Sequence, residues 1–578
     1  MKNLKQAFTF LVLHLLLGDI ALARLKQILL IKYPFSYTYI TSMKKLCILI
    51  LLYATNICAQ HKPNIIWLSA EDVSPRMGCY GDFTVPTPNI DKLAKQGVMY
   101  TNVFTTAGVC APSRNAIATG RIQTSNGAHN MRTLVNAYPE KTGLPKQYSV
   151  VMPPDVKHFA ELMRANGYYC TNNFKTDYQF EDIPSIWDES SPKAHYKNRK
   201  EGQPFFVVFN STITHESQVW ARSKNPLRVD PKKVKLPPYY PDTDSVRLDV
   251  ARFYSNVSEL DDWVGEKMKE LEEHGLLENT IVMFWGDHGD GLPFFKREIY
   301  DRGIRVPFIV RFPNALKTKG QKPANSTDTR MISAIDWSAT VLSLANIPTP
   351  KWMHGKAFLG KYATNEGHPY IFAARDRLDS EYDRVRSVSD GNFQYIRNFF
   401  PEKTLYMDLA FRKQQASMRE ILRMRDHGQL TETQMIWFKQ TKPLEEFYDI
   451  KSDPFQLVNL IDDPKYISKI ESFRKVFNDW QKKVYDYGAI DEKNLVNQMW
   501  ENQASPPVTA KPELKIVKAL LTIKSVTPGA SIVYKIIEIE KEPQRWEVYI
   551  KPIRIPHNAK VKAMAQRIGY KPSEIITL

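Results

Sequence analysis

Residues 108–121, from Gly108 to Arg121, read GVCAPSRNAIATGR. Pro112 suits the first turn of a helix, where its missing N–H costs nothing, and Asn115-Ala-Ile-Ala continues that helix. Cys110 therefore stands at a helix N-terminus. Aligned peptide dipoles and unpaired amides favour negative charge there, and Arg114 adds a fixed cation one turn on. The stretch is suited to holding an anion, and the segments around it decide what fold carries it.

Those segments alternate. Pro63-Asn-Ile-Ile-Trp-Leu-Ser is an apolar run of buried-strand length, and Pro204 to Asn210, Thr280 to Gly286 and Val306 to Phe312 repeat the pattern. Helical periodicity falls between them, at Pro88 to Gly97, Val156 to Asn166 and Asp249 to His274. Strands alternating with helices predict an α/β fold, a mostly parallel, doubly wound sheet covered on both faces. In such sheets chemistry sits beyond the carboxyl ends of the strands.

Charged residues collect there. Glu71-Asp72 ends the first strand and Asp287-His288 ends another, in Phe284-Trp-Gly-Asp-His-Gly-Asp-Gly. Acids at two strand ends, beside loops kept open by Gly289 and Gly291, suit one hard divalent cation. The basic counterparts are Arg114, Lys175, His215 and Lys296, with His129 and Arg132 in Asn126-Gly-Ala-His-Asn-Met-Arg as further candidates for substrate contacts. Cations converging on a metal-bound oxygen nucleophile suit transfer of a tetrahedral oxyanion, sulfate or phosphate.

The chain has 578 residues, 43% hydrophobic, with ordinary glycine and proline content and no repeat, which excludes overall disorder and predicts several domains. Two apolar runs open it, Phe8 to Ala23 and Leu46 to Ala54, both short for a membrane span. The second follows Met43-Lys44-Lys45 and ends near Ala59, the form of a secretory signal over residues 43–59. Translation is expected to begin at Met43; a signal anchor, or a first signal ending near Ala21-Leu22-Ala23, is the alternative. No transmembrane span is expected in the mature chain. The leader, residues 1–60, supplies six of the seventeen net positive charges, leaving about +11. That excess attracts polyanions, and for an exported protein an acidic glycan rather than nucleic acid is the expected partner. Cys79, Cys110 and Cys170 remain after the leader, an odd number that leaves at least one thiol unpaired.

Cys110-Ala-Pro-Ser-Arg, continued by Thr119-Gly-Arg, resembles the Cys-x-Pro-Ser-Arg signature of the formylglycine-dependent sulfatases. Pro63 to Asp72 resembles that family's opening strand, Tyr300 to Pro313 the segment after its active-site lysine, and Phe447 to Leu460 its C-terminal signature. The resemblance spans residues 62–500 and implies an alkaline-phosphatase-like sheet sandwiched by helices. It divides the chain into a catalytic domain over 61–365, a smaller α+β subdomain over 366–500 and a linker over 501–510. Residues 511–578 alternate like a small β-sandwich and resemble the domain appended to chitobiases and hexosaminidases.

In the family a maturation enzyme oxidises the signature cysteine to Cα-formylglycine, whose hydrate is a gem-diol. One oxygen, bound to calcium, attacks sulfur and the other later expels sulfate. By that resemblance Cys110 is the nucleophile precursor and Arg114 orients it. Glu71, Asp72, Asp287 and His288 hold one Ca2+; Lys175, His215 and Lys296 bind sulfate or protonate the leaving oxygen, with His215 the general acid. Three positions depart from the pattern: Glu71 where Asp is usual, His288 where Asn is common, and Asp177 where the family's Lys-x-His pair has histidine, for which His129 is the expected substitute. The stretch around Gln123 resembles the heparan N-sulfatase branch. The implied activity is hydrolysis of sulfate esters or N-sulfates of a sulfated oligosaccharide or polysaccharide in the periplasm, or at the outer surface, of a Gram-negative bacterium. Phosphonate or phosphate monoester hydrolysis, or glycan binding without catalysis, are the alternatives.

Overall fold

The computed structural model describes residues 62–537, 545–557 and 559–578. The leader expected over residues 1–60 lies outside them. Asn64–Ala70 (β1) is buried at every position and forms the middle of an eight-stranded sheet. With Val98–Tyr100 (β2), Tyr169–Asn172 (β3), Glu189–Ser190 (β4), Phe205–Ser211 (β5), Thr280–Gly286 (β6), Phe308–Arg311 (β7) and Ser326–Asp328 (β8), the order is β4-β3-β5-β1-β6-β7-β2-β8. The five strands from β4 to β6 run parallel. The Val306 segment is a strand that runs antiparallel to β6, so the sheet is mixed at that edge.

Alternation along the central strands fills two cores, as a sheet covered on both faces requires. Ile65 and Trp67, with Phe206, Val208, Met283 and Trp285, pack in one. Ile66, Leu68, Val207, Phe209, Val282 and Phe284 pack in the other. Helix Pro88–Gln96 (α1) lies on the second face; Cys110–Thr119 (α2) and Phe159–Ala165 (α3) lie on the first. Helix Asp244–Glu273 (α4) covers the second face and starts five residues earlier than periodicity indicates, because Thr243 caps it by accepting the Val246 N–H. Conversely α3 starts late, at Phe159, because His158 Nδ1 caps it. All ten residues of α2 are buried, and Asp336–Leu344 (α5) packs on it.

Beyond residue 366 the expected smaller subdomain is a four-stranded antiparallel meander, Ile371–Arg375 (β9), Val385–Ser389 (β10), Phe393–Asn398 (β11) and Glu445–Asp449 (β12), backed by helix Ile467–Lys483 (α6). The C-terminal segment forms two antiparallel sheets of three and four strands around Leu521, Ile523, Ile555, Val561 and Ala563, the β-sandwich anticipated there. It is anchored to the α3 region: Ser531 Oγ bonds Glu161, and Lys157 Nζ donates to Gly529 O. Cys79, Cys110 and Cys170 are all free thiols, so among the described residues no disulfide contributes. No helix among those residues is long and apolar enough to cross a membrane.

Candidate active site

Four adjacent parallel strands end in one place. β3 leads to Lys175, β5 to His215 and Glu216, β1 to Glu71 and Asp72, and β6 to Asp287 and His288. The N-terminus of α2 brings Cys110 among them: its Sγ lies 3.3 Å from His288 Nε2 and 3.8 Å from Asp72 Oδ1. Ser113 Oγ, in the next turn, donates to Asp287 O at 2.6 Å and ties the helix to the β6 loop.

Arg114 is the hub of the cluster. It donates from Nε to Asp287 Oδ2 at 3.0 Å, from Nη1 to Asn210 Oδ1 at 3.1 Å and from Nη2 to Ser69 Oγ at 3.1 Å. Lys296 Nζ reaches Asp72 Oδ2 at 2.6 Å and Glu216 Oε1 at 3.1 Å. Asp72 has left-handed backbone, φ 53°, and its N–H donates to Asp287 Oδ1 at 3.0 Å, so the two acids are mutually oriented. His215 Nδ1 shares a hydrogen bond with Ser217 Oγ at 2.7 Å.

Burial opposes charge on each of these groups, and their mutual attraction overcomes it. Burial pushes the Asp72 carboxyl up, yet Lys296, His215 and His288 hold it well below the usual carboxylate range. Burial likewise raises the Cys110 thiol, but Lys296 and His288 together bring it below its ordinary value. His288 is raised against its burial by Asp287 and Asp72, and His215 is raised against burial and Lys296 by Asp72.

Asp72, Asp287, His288 and Cys110 offer ligand atoms within 4.8 Å of one another, a cluster able to hold a metal ion. Two carboxylates and an imidazole are a donor set for a divalent cation. Glu71, expected among the ligands, pairs through Oε1 with Lys175 Nζ at 2.8 Å and with Arg114 Nη2 at 3.7 Å. Its extra methylene lets the carboxylate reach these cations.

The two remaining candidates separate. Arg132 lies over the Phe411 ring, next to His215. His129 is buried beside Arg386, Asp486, Glu492 and Arg377; burial and then Arg386 push its imidazole down to about 4, so it is neutral there. The partner of Lys175 within its own loop is Asp177, at 3.4 Å. Sequence reasoning missed Glu216 and Arg297, although each directly follows a residue it singled out. Arg297 donates twice to Glu216, at 2.8 and 2.5 Å. Nothing in the sequence marked Phe411, which reaches the site only through the packing of the smaller subdomain.

A strand-end cluster of this kind suits a hydrolase acting on an oxyanion ester, and comparison with known proteins gives the class. The Sulfatase family model matches residues 63–347. An ulvan-active sulfatase of Formosa agariphila is 42% identical over 562 residues, which covers 91% of this chain and 92% of the relative. The human N-sulphoglucosamine sulphohydrolase is 24% identical over 505 residues, with 79% of this chain and 97% of the relative covered. Among solved structures, a sulfatase from Bacteroides fragilis shares the fold with a TM-score of 0.54 at 17% identity, over 75% of this chain and 98% of its own. The chain belongs to the sulfatase family of the alkaline phosphatase superfamily and is a sulfuric ester hydrolase.

Proposed function

We propose that this chain removes sulfate groups from a sulfated polysaccharide after Cys110 has been converted to Cα-formylglycine by a maturation enzyme. The observation that carries the reading is the position of Cys110 Sγ, 3.3 Å from His288 Nε2 and within the ring of Arg114, Lys175, His215 and Lys296. Around it the carboxylates of Glu71, Asp72, Glu216 and Asp287 are matched by Arg114, Lys175, Lys296 and Arg297. One bound divalent cation makes the balance positive, which suits an anionic sulfate ester.

Asp72, Asp287 and His288 would hold that cation, with Ca2+ the ion we assign because two of the three ligands are hard carboxylates. When bound it supplies a Lewis acid at the sulfuryl oxygens and lowers the pKa of a hydroxyl nucleophile, which the hydrated aldehyde at position 110 provides. The chain's own residues do the rest. Arg114 fixes Asp287 and the first turn of α2, so the side chain at position 110 is aimed. Lys296 and Lys175 bind sulfuryl oxygens and offset charge that grows as the S–O bond breaks. His215, its Nδ1 engaged with Ser217, offers Nε2 to protonate the leaving sugar oxygen.

The relative named for ulvan makes that polysaccharide the first substrate to test, and the N-sulfate of glucosamine the second. Export through a signal over residues 43–59 to the periplasm accords with such a substrate. The deciding experiment measures sulfate release from ulvan and from defined sulfated saccharides, with Cys110→Ala as control and matched aryl phosphate and phosphonate esters alongside. Sulfate release lost in the variant, together with a Cys110 peptide lighter by the mass of the thiol-to-aldehyde conversion, supports the reading. Preferential phosphate or phosphonate hydrolysis, or an unconverted thiol with glycan binding intact, overturns it.

A further inference from the structure

Outward from Cys110 the lining changes from charged to aromatic. Phe411, carried by the smaller subdomain, meets the His215 ring with centroids 6.3 Å apart at 60°, and Trp220 at 5.3 Å and 71°. The guanidinium carbon of Arg132 lies 5.0 Å over the same phenyl ring. Arg132 Nε pairs with Asp379 Oδ1 at 2.6 Å, and its side chain keeps 32% of its exposure. Among the described residues its two terminal nitrogens donate no hydrogen bond to the protein.

The arrangement is held under strain. Arg132 and Asp379 both have left-handed backbone, φ 60° and 49°, which non-glycine residues adopt at a cost and which concentrates at functional sites. The two loops are cross-tied, since Met131 N donates to Arg377 O at 2.9 Å and Arg377 N to Asn130 Oδ1 at 3.1 Å. Arg132 is thus held by its ion pair with Asp379 and by the Phe411 ring, and its terminal fork, the edge that binds carboxylates and sulfates two-pronged, makes no protein hydrogen bond among the described residues. An arginine held in place beforehand loses little entropy when it binds.

We propose that Phe411, Trp220 and Arg132 form a saccharide subsite. The sugar ring bearing the scissile sulfate lies against Phe411, and Arg132 binds a second negative charge on the substrate, a carboxylate or a further sulfate. Phe411 links His215 to Arg132 through contacts of 6.3 and 5.0 Å. The subsite deepens the sulfatase reading and rests on it.

The test takes the oligosaccharide from which the enzyme releases sulfate fastest and compares three forms: intact, with uronate carboxylates reduced to hydroxymethyl, and with its other sulfates removed. Each is assayed with the parent enzyme, Arg132→Gln and Arg132→Lys, beside a small aryl sulfate. In Arg132→Gln, kcat/KM for the intact saccharide falls 10- to 100-fold more than for the aryl sulfate, mainly through KM. Arg132→Lys recovers part of that loss. The form that lacks the recognised anion is already poor with the parent enzyme and insensitive to the substitution, which tells carboxylate from sulfate. Equal losses on saccharide and aryl sulfate, or no loss, overturn the subsite. Binding of the same saccharides to Cys110→Ala with and without Arg132→Gln, measured by calorimetry, separates the two readings. Arg132-dependent binding without turnover of any sulfate removes the sulfatase reading and keeps the subsite, whereas hydrolysis with Arg132-independent binding does the reverse.

Discussion

Glu216 faces Arg297 in a fully buried, two-pronged ion pair at 2.8 and 2.5 Å, while its own backbone N–H donates to Asp72 Oδ2 at 2.7 Å. Burial works against the Glu216 carboxylate, but Arg297 and then Lys296 hold it down to about 2. One residue thereby joins the His215 loop, the Lys296 loop and a metal-ligand candidate. Glu216→Gln leaves the Asp72 contact in place but strips Arg297 of its paired carboxylate and leaves Lys296 with Asp72 alone. We expect kcat to fall about 100-fold with little change in KM, and stability to fall by about 3 kcal/mol from the buried unpaired arginine. Steady-state kinetics and urea unfolding check both; a loss confined to stability would refute the positioning role.

Arg114→Lys is the matching test of the hub. A lysine cannot serve Asp287, Asn210 and Ser69 together, because it is a point charge on a flexible stem rather than a planar fork. Loss of kcat/KM by about 100-fold is expected, with stability reduced by roughly 2–4 kcal/mol as buried partners go unmet. Activity within a factor of three of the parent would show that Arg114 does not set the site.

Gly291 lies between the two loops without needing an unusual backbone. A Cβ there would meet Glu216 Cα and N at 2.8 Å and Asp72 Oδ2 at 3.0 Å. Gly291→Ala should therefore displace Asp72 and depress both metal affinity and activity more than melting temperature. Metal content by mass spectrometry and sulfate release from the purified variant give the comparison.

Removing the metal should be reversible. Chelation is expected to abolish sulfate release and lower the melting temperature, since an ion at a hundred times its dissociation constant stabilises the native state by about 2.7 kcal/mol. Ca2+ should restore both, ahead of Mg2+. Unchanged melting and activity after exhaustive chelation would exclude the Asp72, Asp287 and His288 site as a metal centre.

His158 makes a distinct pH prediction far from the metal ligands. It caps α3 through Nδ1, its Nε2 has no hydrogen-bond partner among the described residues, and Phe159, Tyr178 and Trp187 surround it. Burial alone pushes its imidazole from 6.5 down to about 3. Between those values the unfolded chain binds a proton that the native state refuses, so stability rises with pH across the window and is lost as pH falls from 6.5 toward 3. The contribution is at most about 5 kcal/mol. His158→Asn, which keeps a capping side chain, should be less stable at pH 7.5 yet show a shallower fall between pH 6.5 and 4 in unfolding titrations.

Much was legible in the sequence because it is local. The apolar runs at Asn64–Ala70 and Thr280–Gly286 have the length and composition of buried strands, the acids after them then fall at strand ends, and the Cys110 signature carried its family with it. Residue type and spacing along one segment decide such features. Tertiary structure alone decided which charges meet. That Glu71 turns to Lys175 rather than to Asp72, that His129 is buried beside Arg386 and Asp486 rather than beside Lys175, and that Phe411 joins His215 and Arg132 all depend on side chains from distant segments. Electrostatic pairing falls off over a few ångströms in three dimensions, and sequence separation does not encode those distances.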